Sequence, residues 1–187
     1  LIDSDISLYT LYTEFFQKAL YEIGSLWEQN HISVAVEHMA TAIIEELLSM
    51  MYPKIFSTER SGKTAVISCV ANEFHQIGGK MIADVFELHG WDGYFLGANT
   101  PPQELLDMLQ QKNPDVLGLS LSIFFNMHNL HRLIKIVRNQ FPDLPIIVGG
   151  QAFRWGGTEI QNEYSNLSYI ASIPELEQQY ILGNSYA

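Results

Sequence analysis

Apolar residues recur with a helical period through residues 7–52. Leu8, Leu11, Tyr12, Phe15, Phe16, Ala19, Leu20, Ile23, Leu26 and Trp27 trace one amphipathic helix. Val36, Met39, Ala40, Ile43, Ile44, Leu47, Leu48 and Met51 trace a second. Gln29-Asn30-His31 separates the two, and Pro53 is expected to end the second. Two helices alone make a poor core, so they need further helices or another domain to pack on. Ser57 to Gly62 is polar and reads as a linker. From Lys63 the pattern changes to short apolar runs: Ala65–Val70, Tyr94–Leu96, Val116–Leu121, Pro145–Val148 and Tyr169–Ala171. Helical stretches lie between them at Gly78–His89, Gln103–Gln111 and Met127–Phe141. Runs without polar alternation are buried on both faces, which predicts a parallel sheet covered by helices. The expected fold is α/β: a doubly wound, flavodoxin-like sheet of about five strands, preceded by a helical cap. The expected domains are residues 1–58 and 62–187. Ligands in such sheets bind beyond the carboxyl ends of the strands.

Composition narrows the function classes. The chain has 187 residues, 47% of them hydrophobic and 17% charged, enough for a packed core. No apolar run is long enough for a membrane span. The net charge of −11 should repel a nucleic acid, so neither a membrane nor direct nucleic-acid contact is expected. One cysteine, Cys69, excludes an internal disulfide and a four-cysteine zinc site, and the cytoplasm is the expected compartment. The chain begins at Leu1 without a Met, a basic leader or a cleavage signal, so upstream residues are expected to be missing. Ser61-Gly62-Lys63-Thr64 ends like a phosphate loop, but Ser57 replaces the first glycine and a strand follows instead of a helix.

The candidate chemistry sits at the predicted strand ends. After the first strand comes Glu73-Phe74-His75-Gln76-Ile77-Gly78-Gly79. A histidine there can present one imidazole nitrogen to a ligand while Glu73 holds the other. Gly78 and Gly79 would let a bulky group approach the backbone. Forty-one residues separate Gly78 from Ser120-Leu121-Ser122, and 26 more separate Ser122 from Gly149-Gly150.

This spacing resembles the cobalamin-binding domain of methionine synthase, the carbon-skeleton mutases and the corrinoid methyl carriers. The family pattern is Asp-x-His-x-x-Gly, Ser-x-Leu and Gly-Gly. The resemblance implies cobalamin bound base-off, with His75 as lower axial ligand of cobalt. Ser120, Leu121 and Ser122 would lie beside the displaced nucleotide tail, and Gly149 and Gly150 would leave room for it. Gln76, Ile77, Gly78, Phe124, Gln151, Phe153 and Ala171 complete the expected cofactor contacts. Glu73 replaces Asp, so its bond to His75 is expected to be shifted or water-mediated. Ser122 replaces Leu, which makes the tail slot more polar.

Nine residues separate Trp27 from Glu37-His38, and Val34, Glu37, His38 and Thr41 share one helix face. This resembles the MerR-type, light-sensing cobalamin regulators of carotenoid genes. There the matching residues cover the upper ligand. Trp27 and Val34 would pack on it, Glu37 would bond its ribose, and His38 would lie near cobalt as a candidate upper ligand. The resemblance implies a four-helix cap, of which two helices are evident. It departs where Glu28 follows Trp27 in place of His, and no winged DNA-binding segment is read in these residues. The expected function is a sensor or regulatory module, light-responsive through adenosylcobalamin. The alternative is a corrinoid methyl carrier using methylcobalamin, with hydroxocobalamin a further form of the cofactor. Neither role needs catalysis by the chain alone. A methyltransferase, a regulator or a second copy of the chain is the expected partner. His31, His89, His128 and His131 have no paired ligand spacing, and Cys69 is expected to be buried and inert.

Overall fold

In the computed structural model, which describes residues 6–56 and 59–183, five strands lie parallel in the order β2-β1-β3-β4-β5. They are β1 (Thr64–Cys69), β2 (Asp92–Phe95), β3 (Val116–Ser120), β4 (Ile146–Gly149) and β5 (Leu167–Tyr169). The expected flavodoxin-like sheet is present. The fourth run starts one residue later than the sequence suggests, because Pro145 has no N–H to give to a ladder. Its carbonyl instead accepts from Leu117.

The chain divides into two compact units, Leu1–Ser57 and Thr58–Ala187. Ser57 and Thr58, in the expected linker, lie outside the described residues. In the first unit, α1 (Leu8–Thr10) runs through a π-helical stretch, Leu11–Phe16, into α2 (Gln17–Glu28). The wider π turn puts Leu11 and Phe16, five residues apart, into the interior with Tyr12. Asn30 turns the chain at φ +58°, and the Ser33 hydroxyl accepts from the Val36 N–H at 3.4 Å to cap α3 (Val34–Ser49). Pro53 does not end that helix. It sits in the first turn of α4 (Tyr52–Ile55), where a missing N–H costs no bond.

In the second unit, alternate strand residues face opposite ways. Val66, Leu117, Leu119, Leu121, Ile146 and Val148 pack against α6 (Pro102–Lys112) and α7 (Met127–Gln140). The other face carries α5 (Ile77–Leu88). Gly79 of α5 comes so close to it that a Cβ would stand 3.0 Å from the Phe95 ring, 3.3 Å from Ser120 Cβ and 3.6 Å from Cys69 Sγ. The chain ends with α8 (Ile173–Leu176) and a π-helical turn, Glu177–Leu182. Arg60 pairs with the nearly buried Glu87 and donates to the Trp91 carbonyl at 2.7 Å, tying residue 60 to the α5–β2 turn.

Candidate cofactor site at the carboxyl ends of the strands

Parallel register brings the motif residues level. Cys69 stands opposite Ser120, and Ser120 opposite Gly149, so the loops after β1, β3 and β4 leave the sheet side by side. The β1 loop is held by asparagines. Asn72 adopts φ +64° and its N–H donates to Asn99 Oδ1 at 2.8 Å. The Asn99 N–H donates back to the Glu73 carbonyl at 2.9 Å. Asn126 Nδ2 donates to the Asn72 carbonyl at 3.0 Å, and Asn129 Nδ2 to the Ala71 carbonyl at 3.2 Å.

The Glu73 carboxylate is fully buried beneath this loop. Its Oε1 lies 2.6 Å from His75 Nδ1 and accepts the His75 N–H at 3.0 Å. Its Oε2 accepts the N–H groups of Ser122 and Ile123, each at 2.9 Å. The bond to His75 is therefore direct, not water-mediated. The extra methylene of Glu lets one carboxylate serve the His75 ring and the β3 loop together. Burial pushes this carboxyl up. The bonds from the His75 ring and from the N–H groups of His75, Ile123 and Ser122 outweigh burial and hold it below its ordinary value. An anion at Nδ1 selects the tautomer that carries its proton there, so Nε2 bears the lone pair for a metal. The imidazole is 52% exposed.

The glycines divide their work. A Cβ on Gly78 would meet nothing within 4 Å, so this exposed glycine faces open space. Gly79 instead fits α5 closely to the sheet. A Cβ on Gly149 would come 2.9 Å from the Ile170 carbonyl oxygen. Gly150 has φ +115°, and a Cβ there would come 2.3 Å from the Leu121 carbonyl oxygen. Packing of the chain against itself already requires both glycines. Leu121 and Phe153 direct their side chains into the core on the α6 and α7 side, away from Ser120. Gln76 caps the start of α5, Ile77 is buried, Gln151 opens a 3-10 turn, and the Ala171 N–H donates to Glu175 Oε2 at 2.8 Å. Phe74, Phe124, Phe125 and Trp155 on these loops are exposed aromatics. Cys69 is buried. Burial first, then the Glu73 charge, pushes its thiol up to about 12.

The other candidates lie in the first unit. Trp27 lies in the last turn of α2 and Val34 opens α3, both exposed. Glu37 Oε2 lies 2.6 Å from His38 Nδ1, and its Oε1 accepts from the Thr41 hydroxyl at 3.0 Å. The His38 imidazole is open to solvent. Glu37 and His38 thus repeat the carboxylate–imidazole pairing of Glu73 and His75.

One imidazole is too few ligands for a free metal ion, so a metal bound at His75 must bring a chelate of its own. The open space at Gly78 and the exposed aromatic rings suit the approach of a wide, largely apolar macrocycle. An open parallel sheet with a carboxylate-anchored histidine in its first strand-to-helix loop is compatible with such a macrocyclic chelate. Residues 63–169 match the B12 binding domain family, residues 1–52 match a second family of the same description, and the chain belongs to the B12 binding domain family. Cobalamin is its cofactor, and the helical N-terminal unit precedes the α/β domain in the chain.

The chain is related both to transcriptional repressors and to corrinoid proteins of methyl transfer. It is 28% identical over 123 residues to the HTH-type transcriptional repressor CarA of Myxococcus xanthus, covering 66% of this chain and 42% of that protein. It is 22% identical over 136 residues to dimethylamine corrinoid protein 1 of Methanosarcina acetivorans, covering 69% of this chain and 62% of that protein. The chain spans less than half the length of the repressor it matches. The fold is that of the monomethylamine corrinoid protein of Methanosarcina barkeri, with TM-score 0.80, 12% identity, and 95% of this chain and 84% of that chain covered. Among the described residues no helix is long and apolar enough to cross a membrane.

Proposed function

We propose that the chain holds cobalamin with its nucleotide base displaced and His75 Nε2 on cobalt, and that it works as a cofactor-dependent sensor or regulatory module. The observation that carries this reading is the buried Glu73 carboxylate at 2.6 Å from His75 Nδ1, which leaves Nε2 as the metal-binding nitrogen. Bound cobalamin supplies a cobalt–carbon bond that light or a methyl acceptor can break. The chain's own residues supply the axial nitrogen, its orientation and the walls around it. The resemblance assigns Trp27, Val34, Glu37 and His38 to the upper ligand. A ligand touched in one state and lost in the other gives the differential interaction that a switch requires.

The test loads the nitrogen-15-labelled protein with cob(II)alamin and records its electron paramagnetic resonance. Splitting by one protein nitrogen, absent in His75→Ala, is the expected result. Splitting by the cofactor's own base in the unmutated protein overturns the His75 assignment. Illumination of the adenosylcobalamin complex addresses the sensor. A light-induced change in size-exclusion elution, abolished by Trp27→Ala, is expected. The methyl carrier is the second reading, favoured by the relationship to the dimethylamine corrinoid protein. It becomes the better account if light leaves the elution unchanged and methylcobalamin in the protein transfers its methyl group to an added thiol through a methyltransferase.

A further inference from the structure

Ten lysines and arginines stand against 21 carboxylates in this chain, enough acid to pair every cation. Most are engaged. Lys18 pairs with Glu14, Arg60 with Glu87 and Lys80 with Asp84. Lys63 and Lys112 lie over the rings of Trp91 and Tyr94. Arg138 donates to the carbonyls of Leu144 and Ser165, and Lys54 and Arg154 also have interactions. Arg132 and Lys135 differ: neither has a partner among the described residues, and both are exposed on α7.

Their placement is not neutral for the helix. α7 contains no acidic residue. Arg132 and Lys135 are three apart, while His128–Arg132 and His131–Lys135 are four apart, so cationic or ionisable groups neighbour one another along one strip. Like charges at these spacings destabilise a helix slightly. The strip is concave and lined by His128, His131, Arg132, Lys135, Ile136 and Asn139. His131 Nδ1 has Glu163 at 3.6 Å, and no acidic residue is among those lining the strip. At the amino end of α7, Phe125 is 83% exposed and meets the His128 ring edge-on at 6.1 Å.

We propose that this face of α7 docks an acidic segment of a partner protein, with Arg132 and Lys135 as its charge anchors and Phe125 as its apolar one. Arginine and aromatic side chains are enriched at the energetic centres of interfaces. Charge complementarity selects the occupant. A polyanion of long reach meets the field of the whole chain at −11, whereas a short carboxylate-bearing segment meets only the local cations. The docked segment would sit beside the cofactor loop, because Ser122 and Ile123, which bond Glu73, lead directly into α7. The inference holds for either reading of the function and does not depend on the axial ligand.

The experiment uses the full chain with cobalamin added. The probe is a fluorescein-labelled helical peptide with Glu and Leu on one face, followed by anisotropy, and single-stranded DNA of equal charge is the competitor. Binding that weakens with salt is expected. It should weaken about tenfold in Arg132→Glu/Lys135→Glu, by less in Arg132→Gln/Lys135→Gln, and not at all in Lys18→Glu. Absence of binding, or equal binding by the double variants, overturns the proposal. Displacement of the peptide by the DNA overturns it as well and marks a polyanion site.

Discussion

Glu73 Oε2 accepts the backbone N–H of Ser122, 49 positions further along the chain, at 2.9 Å. One buried carboxylate thereby joins the β1 loop that carries His75 to the β3 loop. Glu73→Gln keeps the shape but turns an acceptor into a donor facing N–H groups. It should cost about 1–3 kcal/mol of apo stability in urea unfolding, the cost of leaving buried polar groups unsatisfied. Cobalamin affinity should fall further than stability does, because the imidazole loses its anionic partner. A variant as stable as the parent would show that the two loops are held by other bonds.

Adjacent glycines separate packing from ligand binding. Gly79→Ala forces a Cβ against Phe95 and Ser120, and overpacking of this kind costs about 1–3 kcal/mol. Gly78→Ala meets open space in a helical turn, and should leave the apo protein as stable as before or up to about 1 kcal/mol more stable. If the corrin occupies the space beside Gly78, that variant should nonetheless bind cobalamin more weakly. Thermal unfolding with and without cofactor reads both effects, and unchanged cobalamin affinity in Gly78→Ala would place the macrocycle elsewhere.

Cys69 gives the chain a pH dependence on the alkaline side. Its folded thiol stays protonated up to about 12, whereas an unfolded cysteine ionises at about 8.5. Above the unfolded value the unfolded state holds fewer protons than the folded one, so stability must fall as pH rises. The slope approaches about 1.4 kcal/mol per pH unit for this one group. Cys69→Ala should flatten the fall between about pH 8 and pH 10, which covers the lower part of the window between these two values. Iodoacetamide should leave the native thiol unmodified at pH 8 and modify it in urea; rapid native labelling would contradict the burial.

The parallel sheet is legible in the sequence because buried strands cannot alternate polar and apolar residues. His75 is legible because it falls between such a strand and a helix. The reach of Glu73 is not, since its bonds to Ser122 and Ile123 depend on two strands lying side by side in register. Gly79, Gly149 and Gly150 look like ligand clearances in sequence, yet each is required by a neighbour distant in the chain. The asparagine ties are not legible in the sequence for the same reason. Asn72 and Asn99 follow strand ends, and asparagine tolerates positive φ, so those two could be read as turn residues. What they bond to could not. Pro53 misleads because a proline ends one helix and begins another with equal ease.

The β1 loop is already sewn to its neighbours by Asn72, Asn99, Asn126 and Asn129. An imidazole on such a loop needs no folding step when a cofactor arrives, and the entropy of ordering it is spent when the chain itself folds. On the reading proposed above, His75 would meet the cofactor as a fixed post.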